Sequence, residues 1–256
     1  MTAISHASQM TLRHLLALAR QPWFVAITLV QPMIYLLVFG ALFEKAALIP
    51  GFGGSSYLTF LTPGVVVMSA LFSAAWNGMG VLEDLNRGTM DRFLVSPVRR
   101  GALIVGPIAQ AAVVVIVQSF VIVGVGALRG AAYNGALGVA VLLVASVLLA
   151  ATFASFSISI ALTARKEETM IGAVQFVALP LTFLSSGFLP IGLAPSWIQA
   201  VARFNPVNWA TEAGRVALAA EVDWTLVATR LLWLAALAAV MALLATGALR
   251  SYRRSA

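Results

Sequence analysis

Six predominantly apolar stretches, at about residues 23–43, 58–81, 101–127, 136–163, 169–189 and 227–249, dominate this 256-residue chain. Each is long enough to cross the hydrocarbon core of a bilayer as a helix, which takes about 20 residues. The composition points the same way: 61% of residues are hydrophobic, 10% are charged, and the mean hydropathy is +0.97. One water-soluble core of this length could not hide so much apolar surface. The expected fold is an all-α polytopic membrane protein with six transmembrane helices in one domain, residues 1–256, without an internal repeat or a long linker.

The distribution of charge orients the spans. If the N-terminus is cytoplasmic, the inside segments hold Arg13, Arg20, Arg87, Arg92, Arg99, Arg100, Arg165, Lys166, Arg250, Arg253 and Arg254, which is 11 of the 16 basic residues. The outside segments keep Lys45, Arg129, Arg203, Arg215 and Arg230. By the positive-inside rule both termini face the cytoplasm of a cell (inner or plasma) membrane. The net charge of +7 then marks inside loops and anionic lipid. It does not mark nucleic acid, because no basic stripe is interleaved with aromatics.

Residues 1–22 lack a signal-peptide pattern, so the first span is expected to be retained. Ile4, Ala7, Met10, Leu12, Leu15, Leu16 and Ala19 recur at helical spacing against Gln9, Arg13, His14 and Arg20. That pattern suits an amphipathic helix on the inner membrane surface, with a solvated tail as the alternative.

Missing chemistry narrows the function. With no cysteine, disulfides, thiolate metal sites and cysteine nucleophiles are excluded. Both histidines lie in the N-terminal segment, and no carboxylate pair or metal cluster falls inside a span, so no enzyme site is expected. No ionisable coupling residue is evident within the spans, and Arg230, near the start of the last one, reads as snorkelling to the interface. The only lysines, Lys45 and Lys166, stand outside any phosphate-binding loop, so the chain is expected to bind no ATP itself. The polar groups that do fall within spans are uncharged: Gln31, Gln118, Thr152, Ser155, Ser157, Ser159, Gln175, Thr182 and Ser185. They either join helices by hydrogen bonds or line a weakly polar pathway, for which Gln31, Gln118, Ser155, Ser159, Gln175 and Thr182 are the candidates.

Two segments break the apolar pattern. Leu82 to Arg100, "LEDLNRGTMDRFLVSPVRR", holds seven of the 25 charged residues and falls on the cytoplasmic side. Arg87 and Asp91 are four apart and could pair on a short helix that ends at Ser96 and Pro97. Such a helix could dock a soluble partner, or the arginines could serve only to hold the orientation. Further on, "FLSSGFLPIGLAPSWIQAVARFNPVNWATEAGRVAL" interrupts the fifth stretch with prolines and glycines. Pro195 is expected in the first turn of a short helix with Trp197, Ile198, Val201 and Phe204 on its apolar face. Asn205 and Pro206 read as the N-cap and first-turn proline of a second short helix. The pair suits a re-entrant hairpin at 186–220, resting on the bundle from the outer side, or a plain loop anchored by Trp197 and Trp209.

Both segments resemble those of ABC transporter type-2 permeases of the daunorubicin-resistance and nodulation-exporter kind. The first resembles that family's acidic residue, R-G-T, acidic/basic pair and L-V-S-P ending. The second resembles its S-S-G-F-L-P run, P-x-W-I-Q-x-x-A-R-x-N-P-V core and downstream E-A-x-R. The resemblance implies a permease that works as two copies, or with a paralogue, above separate ATPase subunits that bind ATP and Mg. It implies that 82–100 is a coupling segment seated on the ATPase, with Glu83, Arg87, Gly88, Thr89, Asp91, Arg92 and Pro97 on the motif. It also implies that Gly187, Pro190, Pro195, Trp197, Arg203, Asn205, Pro206, Glu212 and Arg215 shape the outer hairpin. At Asp84 to Asn86 the chain departs modestly from the family pattern. The expected function is ATP-driven export of an amphipathic or hydrophobic substrate. An ion-coupled carrier or channel, or a non-transporting scaffold, is the alternative.

Overall fold

The computed structural model of the chain describes residues 22–45, 56–88 and 100–255. The expected surface helix before residue 22, and Thr89, Asp91, Arg92 and Pro97, lie outside the described residues. Those described are helices and their connections, without a strand. We number the helices α1 Pro22–Ile34, α2 Tyr57–Ala75, α3 Asn77–Asn86, α4 Arg100–Leu128, α5 Gly135–Ala164, α6 Glu167–Phe183, α7 Ser196–Ala202, α8 Pro206–Ala217 and α9 Trp224–Ser255.

Each of the six expected stretches contains a helix. Four are long and apolar enough to cross a membrane: Tyr57–Asn86, Leu103–Leu128, Gly135–Ala164 and Trp224–Tyr252. The chain is a multi-pass membrane protein. The other two are shorter. Pro32 lies inside α1, where it removes an intrahelical donor, and the chain continues as a π-helical stretch, Tyr35–Phe39, before Gly40–Leu42. The fifth stretch ends earlier than the expected residue 189, because α6 stops at Phe183 after 17 residues and Leu184 N–H closes on the carbonyl of Pro180.

α2 is the most deeply buried element and the axis of the larger apolar cluster, in which Leu61, Val65, Leu71, Val115, Ile122, Leu142, Leu149 and Val207 meet. Ser56 caps its N-terminus by accepting from Thr59 N–H at 3.2 Å. Gly64 is required there: a Cβ would come within 2.2 Å of the Gly187 carbonyl oxygen. The second stretch is not one continuous helix, since Trp76 interrupts it between α2 and α3. Ser157 of α5 satisfies the break, donating to the Ala75 carbonyl and accepting from Gly78 N–H at 2.9 Å.

A smaller cluster closes the opposite end, where Leu82, Ile104, Leu162, Met170, Leu249 and Tyr252 pack together. There the guanidinium of Arg165, in the left-handed turn between α5 and α6, lies 4.5 Å over the Tyr252 ring. Apolar side chains such as Phe120, Phe176, Leu232 and Leu243 are exposed around the perimeter, as a lipid-facing surface requires.

Candidate functional site: a cavity, a pair of short helices and a charged helix end

α1 with its π-helical extension, α2, α6 and the turn after α6 line a half-open cavity of about 750 Å³. The π-helical stretch presents Tyr35 and Phe39 to it, and Phe188 from the turn closes on both rings at 5.7 and 5.3 Å between centroids. The Tyr57 hydroxyl donates to the Phe188 carbonyl at 3.1 Å and fixes that turn. Phe43, Phe72 and Trp76 extend the aromatic wall.

Three of the six candidate pathway residues, Gln31, Gln175 and Thr182, line this cavity. Gln31 Nε2 donates to the Tyr35 hydroxyl at 3.0 Å, and Thr182 Oγ1 to the Ala178 carbonyl at 2.8 Å. Gln175 Oε1 is buried and has no hydrogen-bond partner among the described residues. Gln118 stands behind the wall at 1% exposure, donating to Thr28 Oγ1 at 2.9 Å and accepting from Ser69 at 3.3 Å. It braces two lining residues without lining the cavity itself. Ser155 and Ser159 do not belong to the cavity. Each donates to a carbonyl one turn back in α5, Ala151 at 2.7 Å and Ser155 at 2.8 Å, as mid-helix serines commonly do.

The two expected short helices are present as α7 and α8. Pro195 precedes α7 as its N-cap residue and is not in its first turn. The expected apolar face of α7 does not rest on the bundle: Trp197, Val201 and Phe204 are exposed. α8 is the buried half, with Val207, Ala210, Ala213 and Ala217 packed inside the bundle. Asn205 joins the two ends of the motif. Its Oδ1 accepts from Val207 N–H at 2.9 Å, while its Nδ2 donates to the carbonyls of Leu181 and Leu184 at 2.7 and 2.9 Å. One side chain therefore caps the N-terminus of α8 and the C-terminus of α6. Pro206 occupies the first turn of α8. Pro190 leads into the short 3-10 turn Ile191–Leu193, and the Arg203 carbonyl accepts from Trp209 Nε1 at 2.6 Å. Gly187 abuts Met68 so closely that a Cβ would reach within 2.2 Å of its methyl carbon.

Glu212 and Arg215 anchor a polar cluster at the base of this hairpin. Arg215 donates to Ser186 Oγ at 3.3 Å, to the Ser186 carbonyl at 2.8 Å and to the Phe60 carbonyl at 3.2 Å, and lies 3.7 Å over the Phe60 ring. Glu212 accepts from Asn208 Nδ2 at 2.9 Å and pairs with Arg230 of α9 at 2.8 Å. Arg230 is thus paired with a carboxylate, a partner that the sequence alone did not give it. Ser186 and Asn208 complete the cluster, since Asn208 Oδ1 accepts from Ser186 N–H at 3.0 Å. Both sit inside the quoted motif, yet only the tertiary fold gives them a role. Outside the spans, burial raises the Tyr133 phenol above its usual 10, opposed by its hydrogen bond to Thr62.

At the other end, Glu83 lies within α3 and pairs with Arg87 at 2.5 Å. The expected partner of Arg87 was Asp91, which lies outside the described residues; Glu83, four residues earlier, gives the more favourable helical order of acid before base. Gly88, at φ 66°, ends the helix, donating its N–H to the Leu85 carbonyl at 3.0 Å.

A family model described as "ABC-2 type transporter" matches residues 6–219, a range that holds the cavity and both helices of the hairpin. The chain belongs to the ABC-2 type transporter family. It is similar to the transport permease ycf38 of Cyanophora paradoxa, with 28% identity over 78% of this chain and 69% of that protein. It is equally similar to the daunorubicin resistance ABC transporter permease protein DrrB1 of Streptomyces coeruleorubidus, at 28% identity over 84% of this chain and 75% of that one. Nodulation protein J of Rhizobium leguminosarum bv. trifolii is 28% identical over 70% of this chain and 68% of its own length. Membership makes the chain the membrane subunit of an ABC transporter and implies an ATP-binding partner subunit. Glu212 and Arg215 stand in the polar cluster with Ser186, Asn208 and Arg230, Asn205 stands at the joint of α6 and α8, and Glu83, Arg87 and Gly88 stand at the end of α3.

Proposed function

We propose that this ABC-2 permease exports an amphipathic or hydrophobic substrate, a drug, antibiotic, lipid or glycolipid, through the aromatic cavity between α1, α2 and α6. The carrying observation is the wall itself: aromatic rings dominate it, and its polar groups are uncharged amides and hydroxyls. Such a wall accepts apolar bodies of varied shape and pins few of their atoms. The daunorubicin-resistance name of the Streptomyces relative supports a drug as substrate. Energy comes from a separate ATPase that binds ATP and Mg and docks on residues 82–100, with both termini cytoplasmic in the cell membrane. Two permease copies, or this chain and a paralogue, form the full pathway. ATPase closure pushes the end of α3, and α2 transmits the push to the cavity, which then opens outward past the α7–α8 cap.

The absence of cysteine makes the test direct. A single Met90→Cys thiol is crosslinked in native membranes and the adduct identified by mass spectrometry. An adduct to an ATPase, with ATP-dependent efflux that fails when Arg87 is replaced, is the expected result. The Arg87–Glu83 pair is exposed, so its loss costs at most about 1 kcal/mol of stability and does not unfold the bundle. Full efflux in vesicles that lack ATP but hold an ion gradient would overturn the reading in favour of an ion-coupled carrier.

A further inference from the structure

A second cavity, of about 480 Å³, lies between the α2–α3 break and α4. Its wall is apolar at Met79, Val81, Ala111 and Val114, and Trp76 and Ser73 belong to the walls of both cavities. The two cavities adjoin at Trp76 and Ser73. What distinguishes the second cavity is the sign of its polar groups. Asp84 supplies a carboxylate to its lining, where the aromatic cavity has no charge. The neighbouring Glu83 takes Arg87 at 2.5 Å, so the basic side chain of that helix end is already paired. Asp84 has no ion-pair or hydrogen-bond partner among the described residues. Asn77 adds a second acceptor: its Nδ2 is committed to the Pro107 carbonyl at 2.6 Å, which leaves Oδ1 to accept. Gln110 and Ser73 add a neutral amide and a hydroxyl, so the one charge in the lining is the negative charge of Asp84, which is matched to a donor that carries positive charge.

We propose that this inner cavity recognises the ammonium head of a cationic amphiphile. Asp84 is the charge partner, Asn77 Oδ1 accepts an N–H, and Trp76 with the aliphatic wall holds the apolar body. The Trp76 ring also suits a cation on its face, in the manner of other ammonium-binding aromatics. The site lies on the α3 side, which the export reading places toward the cytoplasm. The inference deepens that reading and rests on it for direction: substrate loads here, then passes Trp76 into the aromatic cavity.

The test uses the full-length permease in nanodiscs of uncharged phosphatidylcholine, so that the lipid does not select for charge. The probes are dansylcadaverine, an aromatic body with a primary ammonium, and its N-acetylated, uncharged counterpart. The native protein is expected to bind the charged probe at least about tenfold more tightly than the neutral one, a difference of about 1.4 kcal/mol. Asp84→Asn, which keeps shape and removes charge, should erase that preference and leave binding of the neutral probe unchanged. Equal binding of both probes to the native protein, or a preference that survives in Asp84→Asn, would overturn the proposal. The measurement needs neither ATPase nor ATP. Loss of ATP-driven efflux alongside intact charge discrimination would therefore sink the export reading alone.

Discussion

Arg230 of α9 lies 2.8 Å from Glu212 of α8, and the two side chains keep 18% and 22% of their exposure. Asn208 donates to the same carboxylate, and the guanidinium stands 4.8 Å over the Trp233 ring. Removing one partner leaves a mostly buried charge unpaired, which costs far more than an exposed pair contributes. Arg230→Gln and Glu212→Gln are each expected to destabilise the protein by about 3 kcal/mol. The double variant should be less destabilised than the sum of the two. Thermal unfolding in one detergent, followed by tryptophan fluorescence, gives the four corners of the cycle; strictly additive effects would show that the pair is not coupled.

Asn205 is predicted to be the most sensitive polar residue of the hairpin. Its amide group makes three hydrogen bonds, to Leu181, Leu184 and Val207. Asn205→Ala leaves two carbonyls and one N–H without partners at a site only 2% exposed, for an expected loss of about 2–3 kcal/mol. Asn205→Asp keeps the acceptor for Val207 but turns an oxygen toward the Leu181 and Leu184 carbonyls. It should therefore be worse than alanine, and unfolding midpoints in the opposite order would contradict the double-cap role.

The hairpin is legible in the sequence because its signals are local. Asn205 followed by Pro206 marks a helix start by capping and by the fixed φ of proline, whatever surrounds them. The alternating excess of arginine is readable for the same reason. Other features arise only when distant segments meet. Arg230 and Glu212 lie on different helices, and nothing in the spacing predicts their contact, so Arg230 alone reads as an interfacial residue. Ser155 and Ser159 do share a helix face, yet whether that face meets a cavity depends on where α5 sits. The break at Trp76 has no proline to announce it. It rests on Ser157, which supplies both the donor and the acceptor that the interrupted helix lacks.

Two glycines of the second stretch should respond oppositely to alanine. Gly64 faces the Gly187 backbone, where an added Cβ would sit 2.2 Å from the carbonyl oxygen, while a Cβ at Gly80 meets nothing within 4 Å. Gly64→Ala must push the turn after α6 away from α2, at an expected cost of about 1–3 kcal/mol. Gly80→Ala only lowers the entropy of the unfolded chain and should stabilise α3 by about 0.5–1 kcal/mol. Unfolding midpoints check both, and equal tolerance at the two sites would contradict the close approach of α2 to the turn.

Gln175 and Gln118 separate a role in transport from a role in structure. Gln175 lines the aromatic cavity with a buried Oε1 that has no partner among the described residues, so the fold gains nothing from that oxygen. Gln175→Leu is expected to leave stability unchanged or raise it by up to about 1 kcal/mol, because an unsatisfied polar atom is removed. If the cavity is the substrate path, the same change should alter ATP-dependent efflux of a fluorescent amphiphile several-fold. Gln118→Leu is the converse case. It removes hydrogen bonds to Thr28 and Ser69 at a fully buried site, with an expected loss of about 0.6–2 kcal/mol for each bond, and should change efflux only as far as the fold loosens. Measuring melting and efflux on both variants distinguishes the two. A Gln175→Leu protein that melts normally and transports normally would remove this residue from the pathway, and with it the clearest polar contact that the aromatic cavity offers to a substrate.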